Sequence, residues 1–269
     1  MSLNMIKVEK DLNNIPPSLS SKPEDLTGHS RRKARTTYKR RLEHIRAKKY
    51  INDDNHNDRY KTNDIRDRLK SIYNDKCAYC ETKVEQYHVD HYRPKAIYYW
   101  LAYSWDNLII SCPICNEHKN DFFDIHGEQR ARFRTRYRKI NDINSISARY
   151  DAYEKPKLIN VENFDPYPHL IFDRYGMISS GDPNVSYTIN QCKIDRKWLN
   201  DERKKILDDI EAEFKLALSI NQSIDEQKVA YKTILNNFFR KASDDKEEYL
   251  AYRKFALKEG LISSILKSI

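Results

Sequence analysis

The sequence predicts a mixed α+β chain that is mainly helical. In its middle lies a strand, strand and helix unit clamped by cysteines, with a basic helical segment before it and a helical region after it. Three observations carry this expectation. Only 5 of the 269 residues are glycine and 33% are charged, a balance that favours helix. Apolar residues recur near helical spacing in the last third. Two CxxC pairs, Cys77/Cys80 and Cys112/Cys115, stand far apart and bracket a short apolar run.

The N-terminal element is defined by charge. The chain carries a formal +9, and between His29 and Tyr50 ten Lys and Arg residues face Glu43 alone, so this stretch nets +9 and the remainder is balanced. Arg31, Arg32, Lys33, Arg35, Arg40 and Arg41 lie within it. Such a footprint steers and holds a polyanion in a salt-dependent way, which points to nucleic acid. A solvated helix face, or a basic arm that orders on contact, is the alternative.

Four thiolates in two short turns are what a closed tetrahedral Zn²⁺ site requires, because each turn presents two sulfurs to one ion. With all four positions taken by Cys77, Cys80, Cys112 and Cys115, none stays open for water or substrate. The zinc is expected to be structural. Disulfides or unrelated free thiols are the alternatives. Cys192 stands apart and reads as a small buried hydrophobe.

The reactive groups are then expected between the pairs. Asp90 is a hard oxygen ligand suited to Mg²⁺ or Mn²⁺, and its neighbour His91 can act as a neutral base near physiological pH. Leu108-Ile109-Ile110 reads as a buried strand running into Cys112, and Pro113 suits the first position of a helix, where no amide donor is needed. Asn116 then falls in the first helical turn, where its amide oxygen could complete the metal site, and Lys119 one turn on could reach a phosphate. His118 and Asn120 are rival ligands, and His88 shares a strand face with Asp90. Tyr98, Tyr99, Trp100 and Tyr103 fill the gap before Asn107 and read as packing, with base stacking as the alternative.

The segment from Cys77 to Phe123, with Asp90-His91, the middle Asn107 and the ending Cys112-Pro113-Ile114-Cys115-Asn116-Glu117-His118-Lys119, resembles the HNH, or ββα-metal, endonucleases. That resemblance implies His91 as general base, Asn107 orienting it through a backbone contact, and Asp90 and Asn116 as ligands of the catalytic metal. Lys119 or Arg93 would neutralise charge at the phosphate. Asp64-Ile65-Arg66-Asp67-Arg68-Leu69-Lys70, His91-Tyr92-Arg93-Pro94-Lys95, Leu158-Ile159-Asn160, Asp165-Pro166 and Asp195-Arg196 are further similar to the PtuB-like HNH proteins of Septu and retron antiphage systems. Val161 departs from the proline common there. The resemblance implies an ABC/SMC-like ATPase partner, PtuA, or a retron reverse transcriptase complex.

Beyond the core, Arg130, Arg132, Arg134, Arg136 and Arg138 alternate strictly, which as a strand would place five guanidinium groups on one face. That ribbon could lie along phosphates or grip an acidic surface; an exposed edge strand kept soluble by charge is the alternative. Amphipathic helices are expected over Asp195 to Ser219, Ile224 to Phe239 and Lys246 to Lys267. The expected organisation is a basic extension over 1–63, a nuclease core over 64–125, the Arg-rich ribbon and an α/β segment over 126–190, and helices over 191–269. No membrane-length apolar run, signal peptide or phosphate-binding loop is visible, so a cytoplasmic endonuclease without its own ATPase is expected. DNA is the favoured substrate; an RNA- or tRNA-cleaving nuclease and a catalytically silent zinc-knuckle adaptor are the alternatives.

Overall fold

Helices dominate because few glycines interrupt them, and among the described residues the sheets are two antiparallel strand pairs. The computed structural model describes residues 8–134, 138–220 and 223–269. In chain order they form α1 (Gly28–Ala47), α2 (Asp54–Asn57), α3 (Asn63–Tyr73), β1 (His88–His91), β2 (Leu108–Ser111), α4 (Pro113–Lys119), α5 (Arg138–Asn141) and α6 (Ser147–Glu154). There follow β3 (Leu170–Phe172), β4 (Ile178–Ser180), α7 (Pro183–Gln191), α8 (Lys197–Ile220), α9 (Ile224–Ala242), α10 (Leu250–Lys258) and α11 (Leu261–Ser268).

The basic segment is one helix. α1 buries Ala34, Thr37, Arg41 and His44 at helical spacing, and Lys48 in the left-handed region (φ 53°) ends it. Its buried edge is held from the aromatic loop, where Tyr103 O accepts from Arg41 Nη2 at 2.8 Å and Tyr103 Oη accepts from His44 Nε2 at 2.9 Å.

β1 and β2 pair antiparallel, with His88 opposite Ser111, Asp90 opposite Ile109 and His91 opposite Leu108. All four residues of β2 are buried, beneath α3 with its buried Ile65 and Leu69. α4 starts at Pro113 as the spacing predicts, and its N-cap is Cys112, whose sulfur accepts from Cys115 N at 3.3 Å. The order strand, strand, helix puts the end of β1 beside the first turns of α4.

Two expectations are corrected. Residues 130–134 are not a strand: Ala131 N bonds to Glu154 Oε1 at 2.5 Å and Arg130 Nη1 to Phe123 O at 2.7 Å, so side-chain contacts replace a ladder. Arg138 opens the short helix α5, while Arg136 lies outside the described residues. The helix expected over Lys246 to Lys267 is two, α10 and α11, divided where Gly260 takes φ +71°. In the C-terminal region α8 buries Leu199, Arg203, Leu207, Ile210, Phe214 and Ala217, an i, i+4, i+8 stripe. Phe238 is buried, while Trp198 and Phe239 are exposed. Gly176, between β3 and β4, is required by space: a Cβ there would sit 2.2 Å from Asn200 O.

Candidate active site

The four cysteine sulfurs come together. Cys77, Cys80, Cys112 and Cys115 are buried and unbridged, and their Sγ atoms lie within 4.8 Å of one another. Cys80 Sγ and Cys112 Sγ are 3.8 Å apart. A tetrahedral zinc with Zn–S near 2.3 Å places its sulfurs about 3.8 Å from each other, far beyond a disulfide bond, so the donor set fits zinc and not a cystine pair. Each CxxC turn also directs an amide at its first sulfur, Tyr79 N to Cys77 at 3.5 Å and Cys115 N to Cys112 at 3.3 Å. The first turn is tied to β2 by Ala78 N bonding to Ile110 O at 2.9 Å.

His91 occupies the end of β1, 5% exposed. Its Nε2 is 2.9 Å from Ala102 O, and a carbonyl only accepts, so Nε2 carries the hydrogen and Nδ1 the lone pair. Burial is the largest cause that pushes the imidazole down to about 3, followed by the positive charge of Lys95. The ring is therefore neutral at physiological pH. Asn107 is fully buried and clasps the backbone around it: Oδ1 accepts from Arg93 N at 2.8 Å, and Nδ2 donates to Arg93 O at 3.0 Å and Leu101 O at 3.3 Å. It touches main chain on both sides of the loop that ends at Ala102 and makes no hydrogen bond to the His91 ring.

Asp90 and Asn116 stand on either side of this strand and helix junction. Asp90 is 7% exposed and accepts from His91 N at 2.6 Å, from Tyr79 Oη at 3.1 Å and from Lys119 Nζ at 3.3 Å. Asn116 Nδ2 lies 2.9 Å from His88 Nδ1, so the predicted ligand and the neighbouring His form a pair. His118 and Asn120 are exposed.

Two predicted phosphate contacts are placed elsewhere. Lys119 is 1% exposed, and its ammonium is spent on Asp90, on His91 O at 2.7 Å and on Asn120 O at 3.4 Å. Arg93 is fully buried between Glu154 at 2.9 Å, Asp151 at 2.5 Å and Ser147 Oγ at 2.8 Å, and its guanidinium faces four aromatic rings. Both cations are internal struts. The aromatic loop is packing as expected, with Tyr98, Trp100 and Tyr103 buried, but its partners lie on α1 and α6 rather than on the zinc knuckle.

Residues 77–122 match the HNH endonuclease family. These are the residues that carry the paired strands, the helix and the thiolates. This is an HNH endonuclease domain. Around it, the chain is 31% identical over 206 residues to the Septu protein PtuB of Bacillus mycoides (strain KBAB4), covering 66% of this chain and 65% of that protein. It is also 23% identical over 155 residues to the Septu protein PtuA of the same strain, covering 51% of this chain and 20% of that protein. The chain therefore spans just under two thirds of PtuB and a fifth of PtuA.

Three contacts to the HNH domain were not legible as site residues. Arg196, just before α8, places Nη1 3.4 Å from Cys115 Sγ and Nη2 3.9 Å from both Cys80 Sγ and Cys112 Sγ. A guanidinium against three thiolates offsets the excess negative charge of a four-thiolate zinc centre. Tyr79, inside the first CxxC turn, reaches across to Asp90. Tyr60 sets its ring edge-on to His91, with centroids 4.6 Å apart, and its Oη accepts from Lys95 Nζ at 2.7 Å. The signal for Arg196 was its place in the Asp195-Arg196 resemblance; Tyr60 had none.

The basic residues divide by burial. On α1, Arg32, Arg35, Lys39 and Arg46 are exposed, Arg31 and Lys33 are half-exposed, and Arg40 is paired with Glu43 at 2.8 Å. Arg41 is 1% exposed, so it holds the helix against the loop and does not belong to the surface that could meet a polyanion. Arg132 and Arg134 are exposed and line an open groove with Arg130 and Arg149. Among the described residues no helix is long and apolar enough to cross a membrane.

Proposed function

We propose that this chain is a metal-dependent endonuclease that hydrolyses nucleic-acid phosphodiester bonds, DNA foremost, and serves a Septu-type antiphage system beside an ATPase partner of the PtuA kind. The observation that carries the reading is His91: a neutral imidazole whose Nε2 hydrogen is committed to Ala102 O, leaving Nδ1 to accept a proton, on the strand that also holds Asp90. The similarity to PtuB over 66% of the chain supports the system and the partner.

Asp90 and Asn116 would hold a divalent ion such as Mg²⁺ or Mn²⁺, since a carboxylate and an amide oxygen suit a hard cation and Asn116 Nδ2 is already taken by His88. When bound, that ion supplies charge neutralisation at the phosphate. His91 Nδ1 takes the proton of the attacking water, and the Ala102 carbonyl stabilises the imidazolium. The phosphate's negative charge opposes that of Lys95 and Lys119 and raises the imidazole towards the working range. The thiolate cluster would hold zinc and take no part in the step. The exposed arginines of α1 with Arg132 and Arg134 would hold the flanking phosphates.

The test is cleavage of supercoiled plasmid, duplex DNA and structured RNA by wild type and His91→Ala, with Mg²⁺ or Mn²⁺ and with EDTA. Metal-dependent cutting of DNA by wild type and none by His91→Ala is expected. Undiminished cutting by His91→Ala would remove the assignment, and metal-independent RNA products with cyclic phosphate ends would replace hydrolysis by transesterification.

A further inference from the structure

The two motif cations expected at the phosphate, Lys119 and Arg93, are committed inside the fold. Phosphoryl chemistry needs positive charge on the nonbridging oxygens as negative charge develops there. One lysine near His91 is not committed in this way. Lys95 sits in the turn that starts at Pro94, half-buried, with Nζ 2.7 Å from Tyr60 Oη and 3.5 Å from Asn57 Oδ1. Both partners are neutral. Among the described residues no carboxylate lies within ion-pairing distance of Lys95, in contrast to Lys119 and Arg93.

The surroundings of Lys95 lead from the basic segment to the reactive ring. Its ammonium lies 4.6 Å from the ring of Tyr50, the residue that closes the basic stretch, and 4.8 Å from the ring of Tyr60. Tyr60 in turn is edge-on to His91. The exposed Lys61 stands 5.5 Å from the same Tyr60 ring, so two ammonium groups share one aromatic platform next to the proposed base. Two like charges held together with neutral partners gain when the anionic phosphate of a phosphodiester comes between them.

We propose that Lys95, held in place by Tyr60 and supported by Lys61, is the substrate-binding cation that receives the nonbridging oxygens of the phosphate under attack. This rests on the endonuclease reading above and deepens it: Lys95, inside the matched HNH segment but supported by Tyr60 and Lys61 from outside it, does what Lys119 and Arg93 cannot. Tyr60 is a positioning residue, since it orders Lys95 and the His91 ring rather than the phosphate. Burial, with Lys61 acting in the same direction and Asp121 and Asp90 against it, pushes the Lys95 ammonium down to about 8. The other groups around it, Tyr50, Tyr60 and Asn57, are neutral at that pH. The charge of free Lys95 is therefore lost as pH rises through the region near 8.

The experiment uses the full chain with its divalent metal. In a His91→Ala background, which binds without cutting, Lys95→Met is expected to weaken duplex binding about tenfold and to lower the salt slope by about 1, as for the loss of one phosphate contact. With His91 intact, Lys95→Met is expected to lower kcat at least about 100-fold and Lys95→Arg to restore much of it. In kcat/KM against pH, wild type should fall above about pH 8 and Lys95→Arg should not, because a guanidinium keeps its charge. Tyr60→Phe should give a smaller loss in kcat and the same alkaline limb shifted. Wild-type cleavage and an unchanged salt slope in Lys95→Met would overturn the proposal and make Lys95 a packing residue on Tyr50 and Tyr60. Were Lys95→Met not to fold, an alkaline limb identical in wild type and Lys95→Arg would overturn it equally. Cutting by His91→Ala would instead break the endonuclease reading, while a silent His91→Ala beside a fully active Lys95→Met would break the lysine assignment alone.

Discussion

The two ends of the HNH domain use charge in opposite ways. At the thiolate end, four buried sulfurs lie together with the Arg196 guanidinium against three of them, a donor set with no position left for a substrate. At the other end, β1 presents His91 with one nitrogen fixed and the following turn holds Lys95 between neutral partners, which on our proposal leaves a lone pair and a positive charge for a substrate. The lesson is that commitment, more than residue type, separates frame from chemistry. Arg93 and Lys119 sit within the motif yet belong to the frame; Lys95, in the same motif, and Tyr60, outside it, belong on our proposal to the face that reacts.

The largest effect that would break this comparison is loss of the clamp. β1 and β2 are four residues each and α4 is seven, a unit too small to persist on its own. Structural zinc is worth on the order of 10 kcal/mol in small domains, so Cys112→Ser, or a strong zinc chelator, should melt this region, seen as lost protection of the β2 amides in hydrogen exchange.

Next in size is Arg93. Arg93→Met leaves Glu154, which is 0% exposed, without its guanidinium, and should cost about 3–5 kcal/mol in urea unfolding. Turnover per folded molecule should stay close to wild type. A folded Arg93→Met with a wild-type midpoint and lost turnover would return Arg93 to the reacting face.

Arg196→Met should leave the fold and weaken zinc retention about 10- to 100-fold, measured by competition with a chromogenic chelator.

A pH effect separates α1 from the site. His44 is buried on Tyr103 Oη, with Ile51 N bonding to its Nδ1 at 3.1 Å, and burial lowers it to about 4 from an ordinary 6.5. Between those values the unfolded chain binds more protons than the folded one, so stability rises with pH across that window and is level above it. The loss on acidification should approach about 3 kcal/mol, and His44→Gln should flatten that part of the curve in urea melts at pH 4.5 and 7.

The smallest effect belongs to the surface. Arg35→Ala and Lys39→Ala should each lower the salt slope of binding by about 1 with stability unchanged, whereas Arg41→Ala should destabilise.

What was legible in the sequence is what short spacing controls. The two CxxC turns, the apolar run that becomes β2 and the proline that opens α4 each follow from a few adjacent residues. Asn107 could be given a backbone role only through the HNH resemblance, which its interval to Asn116 matches. Arg196 meets Cys115 across 81 positions, and Tyr60 meets Lys95 across 35, so neither pairing leaves a trace in local pattern. The arginine alternation misled for a related reason: a period of two makes a strand only if a second strand is there to receive it, and at 130–134 the neighbour is the Glu154 side chain. Arg41 was read as a polyanion contact from the charge of its segment, and Arg93 and Lys119 as phosphate contacts from the motif, whereas burial here is set by partners supplied from α6, β1 and the aromatic loop.

The most direct measurement sets Cys112→Ser beside His91→Ala and reads folding by thermal melting together with plasmid cleavage in Mg²⁺ or Mn²⁺. His91→Ala should melt with wild type, keep one zinc per chain and cut nothing, and Cys112→Ser should lose the melt and the cutting together. A folded Cys112→Ser that still cleaves, or a His91→Ala that does, would contradict the division of the domain into a closed frame and an open reacting face.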